Sequence, residues 1–462
     1  MNLIFLFSVV LKGVGALLEV LLQILITAQL TVDGYGTYSA WINGADLLFW
    51  VCFSGLVKCN TFYLSGGETT VRGFKKKYLL RYVLPMLGVA LVLLLTLGRS
   101  AMLAFIPVIT LLELLVLDRS STLITRGQSI TSLVGEYVLG RTMLVIGVAV
   151  LGWMNRLSHT ALLVLYVAQY LLVICFFLAR SRRGRGYRDI SGEVTMKKWS
   201  AYQRSDLMHS MIEQMPVVAQ FFISGGFAAG VVSVVLLVKK LINFISGPTA
   251  KIFLPEFSRL YHAGENDRIR SVYASIMRIQ MLVVGPMAVV LLAFPRVILG
   301  ILADDLVAFD GLFMACSVVF LLVATLGPCG GILQMTGNEK TDNRLRAGSL
   351  VLMVLVMALT IKSDYFVLYG LCAEVSAEAI AKYIYICRWM KRAPVGVLAY
   401  AGWWLLPAAA IAAAYLLKVN DSFWMMALLA GLTFAVGGIR ELNDPENTFL
   451  KHRKGMKPHG KT

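Results

Sequence analysis

Charged residues are scarce in this chain of 462 residues. Only 15% are Asp, Glu, Lys or Arg, whereas 58% are apolar and the mean hydropathy is +0.74. So little charge excludes a soluble globular protein of this length and is typical of a protein with many membrane-spanning helices. Ten-residue segments of alternating polarity are also lacking, which argues against an outer-membrane barrel. The composition therefore predicts an all-α polytopic membrane protein.

The motifs of nucleotide and metal chemistry are lacking too. The sequence GxxxxGK[ST] does not occur, so ATP hydrolysis within this chain is unsupported. The seven cysteines are scattered through apolar segments at no ligand-like spacing, which favours neither a disulfide framework nor a metal site. We predict no cofactor, although carboxylates within the spans suggest proton or sodium coupling.

Apolar runs of spanning length recur along the whole chain, and we count about fourteen. The first is too long for a signal peptide and contains Lys12 and Glu19, so we interpret it as a retained span. The runs lie at residues 4–30, 37–62, 78–97, 101–118, 129–153, 158–179, 205–226, 231–254, 278–302, 310–335, 347–362, 365–387, 395–417 and 422–439.

Basic residues alternate between the loops that join these runs. Every even-numbered loop is basic, whereas every odd-numbered loop has few basic residues. By the positive-inside rule the even loops and both termini are cytoplasmic. The net charge of +17 then reflects cytoplasmic anchoring, and we expect no nucleic-acid partner.

The longest basic loop predicts the domain organisation. It follows the sixth run. A short internal similarity also relates the two halves, since Ser54, Gly55 and Lys58 have counterparts at residues 246, 247 and 251. Repeated halves are a common plan in transporters. We predict an N-terminal lobe at 1–198, a C-terminal lobe at 199–392, two additional spans at 393–439 and a basic cytoplasmic tail at 440–462.

Charged side chains inside the spans are the candidate functional residues, because an ionisable group at membrane depth needs a partner or a wet cavity. Basic groups suit an anionic head group, and carboxylates suit sugar hydroxyls or a coupling ion. The candidate substrate-binding cations are Lys12, Lys58, Arg141, Lys239, Lys240 and Lys251. The candidate sugar- or ion-binding carboxylates are Glu19, Asp46, Glu136 and Glu213.

Structural interpretations compete at several of these positions. Lys58 and Lys251 lie near span ends, where long side chains reach the interface without binding substrate. His209 and Glu213, four residues apart, are favoured as a core pair over a metal pair or proton relay. Glu374, Glu378 and Lys382 are favoured as an i, i+4 network over a second ion site.

Three stretches resemble one known family. They are the turn GYGTY at residues 34–38 with a following span that closes on SGL at 54–56, the segment 253–294, and the glycine-rich end of the tenth span at 331–338. In order and spacing they resemble the polysaccharide-flippase (Wzx-like) family of the multidrug/oligosaccharidyl-lipid/polysaccharide exporter superfamily.

The resemblance implies two six-helix lobes around a central cavity, with two appended C-terminal helices. It also implies alternating-access translocation of undecaprenyl-pyrophosphate-linked oligosaccharide repeat units across the bacterial inner membrane, for cell-surface polysaccharide biosynthesis. The implied partners are the lipid-linked glycan, membrane lipids, a polysaccharide polymerase and assembly proteins. A wet, charged groove would spare the head group several kcal/mol for each polar group that hydrocarbon would otherwise leave unsatisfied.

Two alternatives remain. A multidrug exporter of the same superfamily would favour a few acidic residues for cationic drugs, whereas the cations within these spans favour an anionic substrate. A membrane-embedded glycan polymerase or glycosyltransferase needs a long outer loop with catalytic acids, and the odd-numbered loops are only a few residues long. We therefore predict that the chain is not an enzyme.

Overall fold

The computed structural model describes residues 3–53, 69–70, 105–125, 128–180, 188–189 and 196–443. Within these ranges the chain is helical except for short turns and two strands of two residues. Strand β1 (Thr69–Thr70) pairs in parallel with strand β2 (Arg188–Asp189), with Thr69 opposite Arg188. The predicted all-α membrane fold is confirmed.

The described residues divide into two compact units, Met1–Ser233 and Val234–Thr462. The first unit contains α1 (Leu3–Phe53), α2 (Phe105–Thr125), α3 (Ser129–Leu133), a π-helical segment (Val134–Leu139), α4 (Gly140–Trp153), α5 (His159–Arg180), α6 (Met196–Ser224) and the start of α7 (Gly226–His262).

The second unit contains the rest of α7 followed by α8 (Asn266–Ala293), α9 (Pro295–Leu302), a 3₁₀ turn (Asp304–Phe309), α10 (Asp310–Thr325), α11 (Cys329–Met335), α12 (Glu339–Leu359), α13 (Phe366–Trp389), α14 (Val397–Leu416) and α15 (Phe423–Asn443). The division falls inside α7, so α6 lies in the first unit, where it packs along α1. The boundary predicted at residue 198 stays a prediction.

Seven helical segments among the described residues are long and apolar enough to cross a membrane. They include α5 and α8, and also α14 and α15, where only 11% of the most apolar window is buried within the protein. Helices that bury so little of an apolar surface are suited to contact with lipid rather than water.

The sequence predicts a polar turn at residues 31–36, between the first two spans, and the structure joins these spans in a different way. Only Thr31 leaves the helical conformation, with φ 65° and ψ 170°, and both flanking segments are helical. The Thr31 hydroxyl accepts a hydrogen bond from the Gly34 N–H at 3.5 Å, as an N-cap side chain does. The predicted turn is therefore a one-residue kink inside α1.

Beyond this kink α1 lies very close to the start of α7. A Cβ atom on Gly36 would overlap the Gly226 carbonyl, and a Cβ atom on Gly230 would overlap the Val32 carbonyl. One turn further on, Ser233 donates a hydrogen bond to the Ser39 hydroxyl at 2.8 Å. Glycines are required here because the backbones approach more closely than any side chain permits.

Two predicted spans in the second unit are interrupted, and proline explains both breaks. The run 278–302 divides at Phe294 because Pro295 disfavours a helical conformation in the residue before it and then begins α9. The run 310–335 divides at Gly327, which has φ 81° and precedes Pro328. Tyr273 of α8 secures the second break by donating to the Leu326 carbonyl at 2.5 Å.

Candidate functional site

A polar cavity of about 150 Å³ lies in the first unit, among helices that are otherwise apolar. It is lined by side chains from α1, α2, the π-helical segment, α4 and α5. Its ionisable and polar lining residues are Asp46, Glu113, Glu136, Arg141, Tyr166, Gln169 and Tyr170.

The π-helical segment explains how Glu136 and Arg141 reach the same cavity. In a regular α-helix two residues five positions apart point about 140° away from each other. The segment Val134–Leu139 instead follows the wider i to i+5 pattern, which brings such positions towards one face. Gly140 completes the arrangement, since a Cβ atom there would lie only 3.2 Å from the Gln169 side chain.

Arg141 is the one basic group among the described residues that line the cavity. Its Nη1 lies 2.5 Å from Glu19 Oε2 and 3.4 Å from the Tyr166 hydroxyl. The two side chains of the ion pair are 30% and 24% exposed, so the pair is shielded but still reachable by water. An arginine retains its charge under all physiological conditions, and its planar fork suits phosphate and carboxylate groups.

Aromatic rings form the wall beside Arg141. The rings of Tyr38 and Tyr166 meet edge to face with centroids 5.9 Å apart, and Tyr166 meets Tyr170 in the same way at 6.0 Å. These rings combine apolar faces with hydroxyl groups. A wall of this kind contacts both the C–H faces and the hydroxyls of a sugar.

Three carboxyl groups face the cavity from different helices. Glu113 lies within hydrogen-bonding reach of Asp46 and interacts electrostatically with Glu136. Ser120 donates to Glu136 Oε2 at 2.7 Å. Three carboxylates this close repel one another, so the group favours either a bound proton or a cation.

Unsatisfied polar atoms indicate that the cavity is built for further contacts. Gln169 is only 6% exposed, yet its Oε1 atom has no hydrogen-bond partner. Glu113 Oε2 is in the same situation. Buried acceptors without partners are uncommon, and they are explained here if water or a ligand occupies the cavity.

A chain of hydrogen bonds connects Glu19 to side chains that do not line the cavity. Gln23 Nε2 donates to Glu19 Oε1 at 3.2 Å, and the Tyr35 hydroxyl donates to Gln23 Oε1 at 2.8 Å. Both Gln23 and Tyr35 are buried. The ion pair of Arg141 is therefore fixed by groups outside the cavity as well as by those that line it.

Four of the ten predicted site residues are gathered here. Asp46, Glu136 and Arg141 line the cavity, and Glu19 is paired with Arg141. Glu213 is half-buried on α6 and is not among the residues that line it. Lys239 and Lys240 belong to the other unit.

Of the remaining predicted cations, two have described side chains and three do not. Lys239 of α7 is half-buried and attracts the Glu374 carboxylate of the same unit, whereas Lys240 is exposed. Lys58 lies outside the described residues, as do the side chains of Lys12 on α1 and Lys251 on α7. Their predicted roles stay predictions.

The sequence analysis did not select Glu113, Gln169 or the two tyrosines that line the cavity. Glu113 carried the same signal as Asp46, a carboxylate within an apolar run. The i, i+3 and i, i+4 spacing of Tyr166, Gln169 and Tyr170 puts them on one face of α5, a pattern that was available in the sequence.

A second polar cluster, in the other unit, is a closed ion-pair network. Lys382 lies 2.5 Å from Asp342 and also contacts Glu378, which accepts from Arg346 Nε at 3.2 Å. Gln334 donates to Asp342 at 2.9 Å. Of the i, i+4 network favoured for Glu374, Glu378 and Lys382, the ion pair of Glu378 and Lys382 is present. Glu374 accepts a hydrogen bond from Ser349, and the network includes two residues from α12. The described residues contain no group of three or more His, Cys, Asp or Glu side chains arranged to hold a metal ion.

One loop assignment needs correction. Lys340, Arg344 and Arg346 were expected in the tenth loop, but α12 already begins at Glu339. The helix extends beyond its apolar run because Arg346 and Asp342 are neutralised by Glu378 and Lys382 on α13. Paired charges allow a helix to continue where the apolar pattern ends.

Comparisons with solved structures show where this fold occurs. The lipid II flippase MurJ in an inward closed conformation aligns with a TM-score of 0.66 and 12% identity, over 95% of this chain and 98% of that one. An inward-facing multidrug resistance MATE family transporter of the MOP superfamily aligns with a TM-score of 0.65 and 11% identity, over 83% and 98%.

A MOP superfamily transporter from Pyrococcus furiosus aligns with a TM-score of 0.55 and 12% identity, over 84% of this chain and 94% of that one. No protein-family profile and no curated protein matches the sequence. At these identities the comparisons show the fold: this chain has the two-lobed helical fold of MOP superfamily transporters.

Proposed function

We propose that this protein is a flippase that moves lipid-linked oligosaccharide repeat units across the bacterial inner membrane by alternating access. The substrate is an undecaprenyl-pyrophosphate-linked glycan, and the product feeds cell-surface polysaccharide. The likeness of fold to a lipid II flippase supports a lipid-linked substrate. Membrane lipids, a polysaccharide polymerase and assembly proteins are the partners that this function implies.

The observation that carries the proposal is Arg141, which lines a polar cavity among apolar helices. An isolated charge is strongly disfavoured in the membrane interior, so a guanidinium within a span indicates a functional site. Arginine binds phosphate through two parallel N–H donors. The pyrophosphate of the substrate is the anionic group that we assign to it.

Glu19 has a defined part in this proposal. Without substrate it neutralises Arg141 at 2.5 Å. A pyrophosphate carries more negative charge than a carboxylate and competes for the same guanidinium. Binding then transfers Arg141 from Glu19 to the substrate, and release restores the original pair, so the guanidinium is never left without a counter-charge.

The tyrosines and carboxylates serve the sugar and the coupling ion. Tyr166 and Tyr170 offer hydroxyls and ring faces, and the unpartnered Gln169 oxygen accepts from a sugar hydroxyl. Sodium is an alternative coupling ion, but the described residues contain no group of carboxylates arranged to hold a metal ion. The interacting carboxyl groups of Asp46, Glu113 and Glu136 suit an exchangeable proton. We propose that this ion drives transport.

The same carboxyl group cluster is the observation that favours the second candidate, a cation-coupled multidrug exporter. Three acidic groups facing one cavity would also attract a cationic drug. Cells lacking the protein distinguish the two functions. A flippase deficit leaves undecaprenyl-linked repeat units accumulated on the cytoplasmic side, whereas an exporter deficit changes drug tolerance and leaves the surface polymer intact.

A variant experiment tests the role of Arg141. Arg141→Ala is expected to reduce surface polymer at least tenfold at unchanged protein abundance, and Arg141→Lys to restore part of it because the charge returns without the fork. Arg119→Ala is the matched control, because Arg119 is exposed on α2 and does not line the cavity. Wild-type export by a stable Arg141→Ala protein removes Arg141 from the site. Accumulation of unlinked sugar precursors in cells lacking the protein places the block in synthesis instead.

A further inference from the structure

A second cavity, of about 140 Å³, lies in the other unit between α8, α14 and α15. Leu282, Pro286, Trp403 and Pro407 provide much of its apolar wall. It is open at the surface and is separate from the candidate site described above. None of its lining residues takes part in the proposed flippase chemistry.

Small residues keep this groove open. A Cβ atom on Gly285 would lie 3.2 Å from Pro407 Cγ, and a Cβ atom on Gly437 would lie 3.1 Å from Leu282 Cδ1. Larger residues at either position would press on the opposite helix and fill the space between them. The groove is thus a consequence of glycine on both α8 and α15.

Two arginines carry all the formal charge among the described residues that line the groove. Arg278 of α8 and Arg440 of α15 both line it, and no Asp or Glu is among the described residues that do so. Arg440 also donates to the Gly402 carbonyl at the long distance of 3.5 Å. Two guanidinium groups that share one cavity repel each other, so an anion placed between them lowers the electrostatic free energy.

The position along the helices indicates which anion is available. Arg440 lies near the end of α15, just before the basic tail that the positive-inside rule assigns to the cytoplasm. Anionic lipids of the cytoplasmic leaflet place their phosphates at this level, and basic pockets between membrane helices bind them. The outward faces of α14 and α15 are apolar, with Leu405 71% exposed and Leu432 51% exposed, so lipid surrounds the groove.

We propose that this groove binds one anionic phospholipid. Its phosphate lies against Arg278 and Arg440, and one acyl chain lies along Leu282, Pro286 and Pro407. The lipid fills the space that the glycines leave between α8 and the last two helices. It therefore holds α14 and α15 against α8 and makes the stability of this part of the protein dependent on lipid composition.

Native mass spectrometry of the purified full-length protein tests the proposal. The protein in neutral detergent is titrated with dioleoyl phosphatidylglycerol or with dioleoyl phosphatidylcholine. The wild type is expected to retain one phosphatidylglycerol with at least tenfold preference over phosphatidylcholine. Arg440→Gln is expected to weaken that binding severalfold, and Arg278→Gln with Arg440→Gln is expected to abolish the preference.

Arg388→Gln is the matched control, since Arg388 is an exposed arginine near the end of α13 and does not line the groove. It is expected to bind phosphatidylglycerol as the wild type does. Arg440 is exposed, so the single variant gives a result even if the double variant does not fold. The proposal is overturned if Arg440→Gln binds as Arg388→Gln does, or if phosphatidylcholine binds equally well.

A third titration separates the phospholipid from a carrier lipid. Undecaprenyl phosphate carries the same anionic group on a polyprenyl chain. If it displaces phosphatidylglycerol at equimolar concentration, the groove belongs to the carrier and the phospholipid proposal fails. If a large excess is needed, the preference for phospholipid stands. Neither result depends on whether the protein flips a glycan.

Discussion

Lys382→Met is expected to destabilise the second unit strongly. Lys382 is 4% exposed and lies 2.5 Å from Asp342, whose side chain is 0% exposed. Removing the ammonium group leaves the Asp342 carboxylate buried, and the Gln334 amide at 2.9 Å is then its remaining side-chain partner among the described residues. Breaking a buried ion pair from one side typically costs about 3–5 kcal/mol, because the remaining charge stays without compensation.

The lower end of that range applies here. Glu378 keeps a cationic partner after the substitution, since Arg346 Nε lies 3.2 Å from it. Only Asp342 therefore loses its counter-charge, and we expect a loss of about 3 kcal/mol in the free energy of unfolding. The exposed pair Arg268–Glu265, with side chains 60% and 37% exposed, provides the contrast. Its loss through Arg268→Met is expected to cost less than about 1 kcal/mol.

The assay is denaturant unfolding of the purified full-length protein in detergent, with Arg268→Met as the matched control. Adding Asp342→Asn to Lys382→Met is expected to recover much of the loss, because the stranded charge is then removed. If Lys382→Met is no less stable than Arg268→Met, water reaches the network, and burial does not make the Lys382–Asp342 pair contribute more to the free energy of unfolding than an exposed pair. If the double variant recovers nothing, the loss comes from packing rather than charge.

Two further experiments test the packing, one in each unit. Gly230→Ala is expected to lower the free energy of unfolding by about 1–3 kcal/mol, because its Cβ would overlap the Val32 backbone. Gly348→Ala on α12 is the control. It has open space around it, so it is expected to be neutral or stabilising in the same unfolding assay. Equal effects would contradict the close approach of α1 and α7. Cys316 and Cys372 lie with their sulfurs 3.7 Å apart, so mild oxidation of a variant that keeps only these two cysteines is expected to protect both from a maleimide. Continued labelling of both thiols after oxidation would contradict the packing of α10 on α13.

The helices were largely predictable because an apolar run of spanning length is stable as a membrane-spanning helix. The runs predicted at 158–179 and 422–439 correspond to α5 and α15 to within a few residues. Their ends were less predictable where a helix continues into polar sequence. Arg346 was assigned to a loop because nothing in the local sequence reveals that Glu378, thirty-two residues away, neutralises it.

The candidate site was predictable in its members but not in its geometry. A carboxylate or an arginine inside an apolar run is visible in the sequence, and Asp46, Glu136 and Arg141 were found in this way. The π-helical segment that turns Glu136 and Arg141 towards the same cavity has no signature in the residues themselves. In a regular helix their spacing of five residues would put these two side chains on different faces.

The kink in α1 has a mechanical consequence. Gln23 lies before Thr31 and Tyr35 lies after it, so their 2.8 Å hydrogen bond bridges the only non-helical residue of α1. A change of angle between the two halves changes the distance between Gln23 and Tyr35, and Gln23 is also the donor to Glu19. The geometry of the kink is therefore coupled to Glu19, the counter-charge of Arg141.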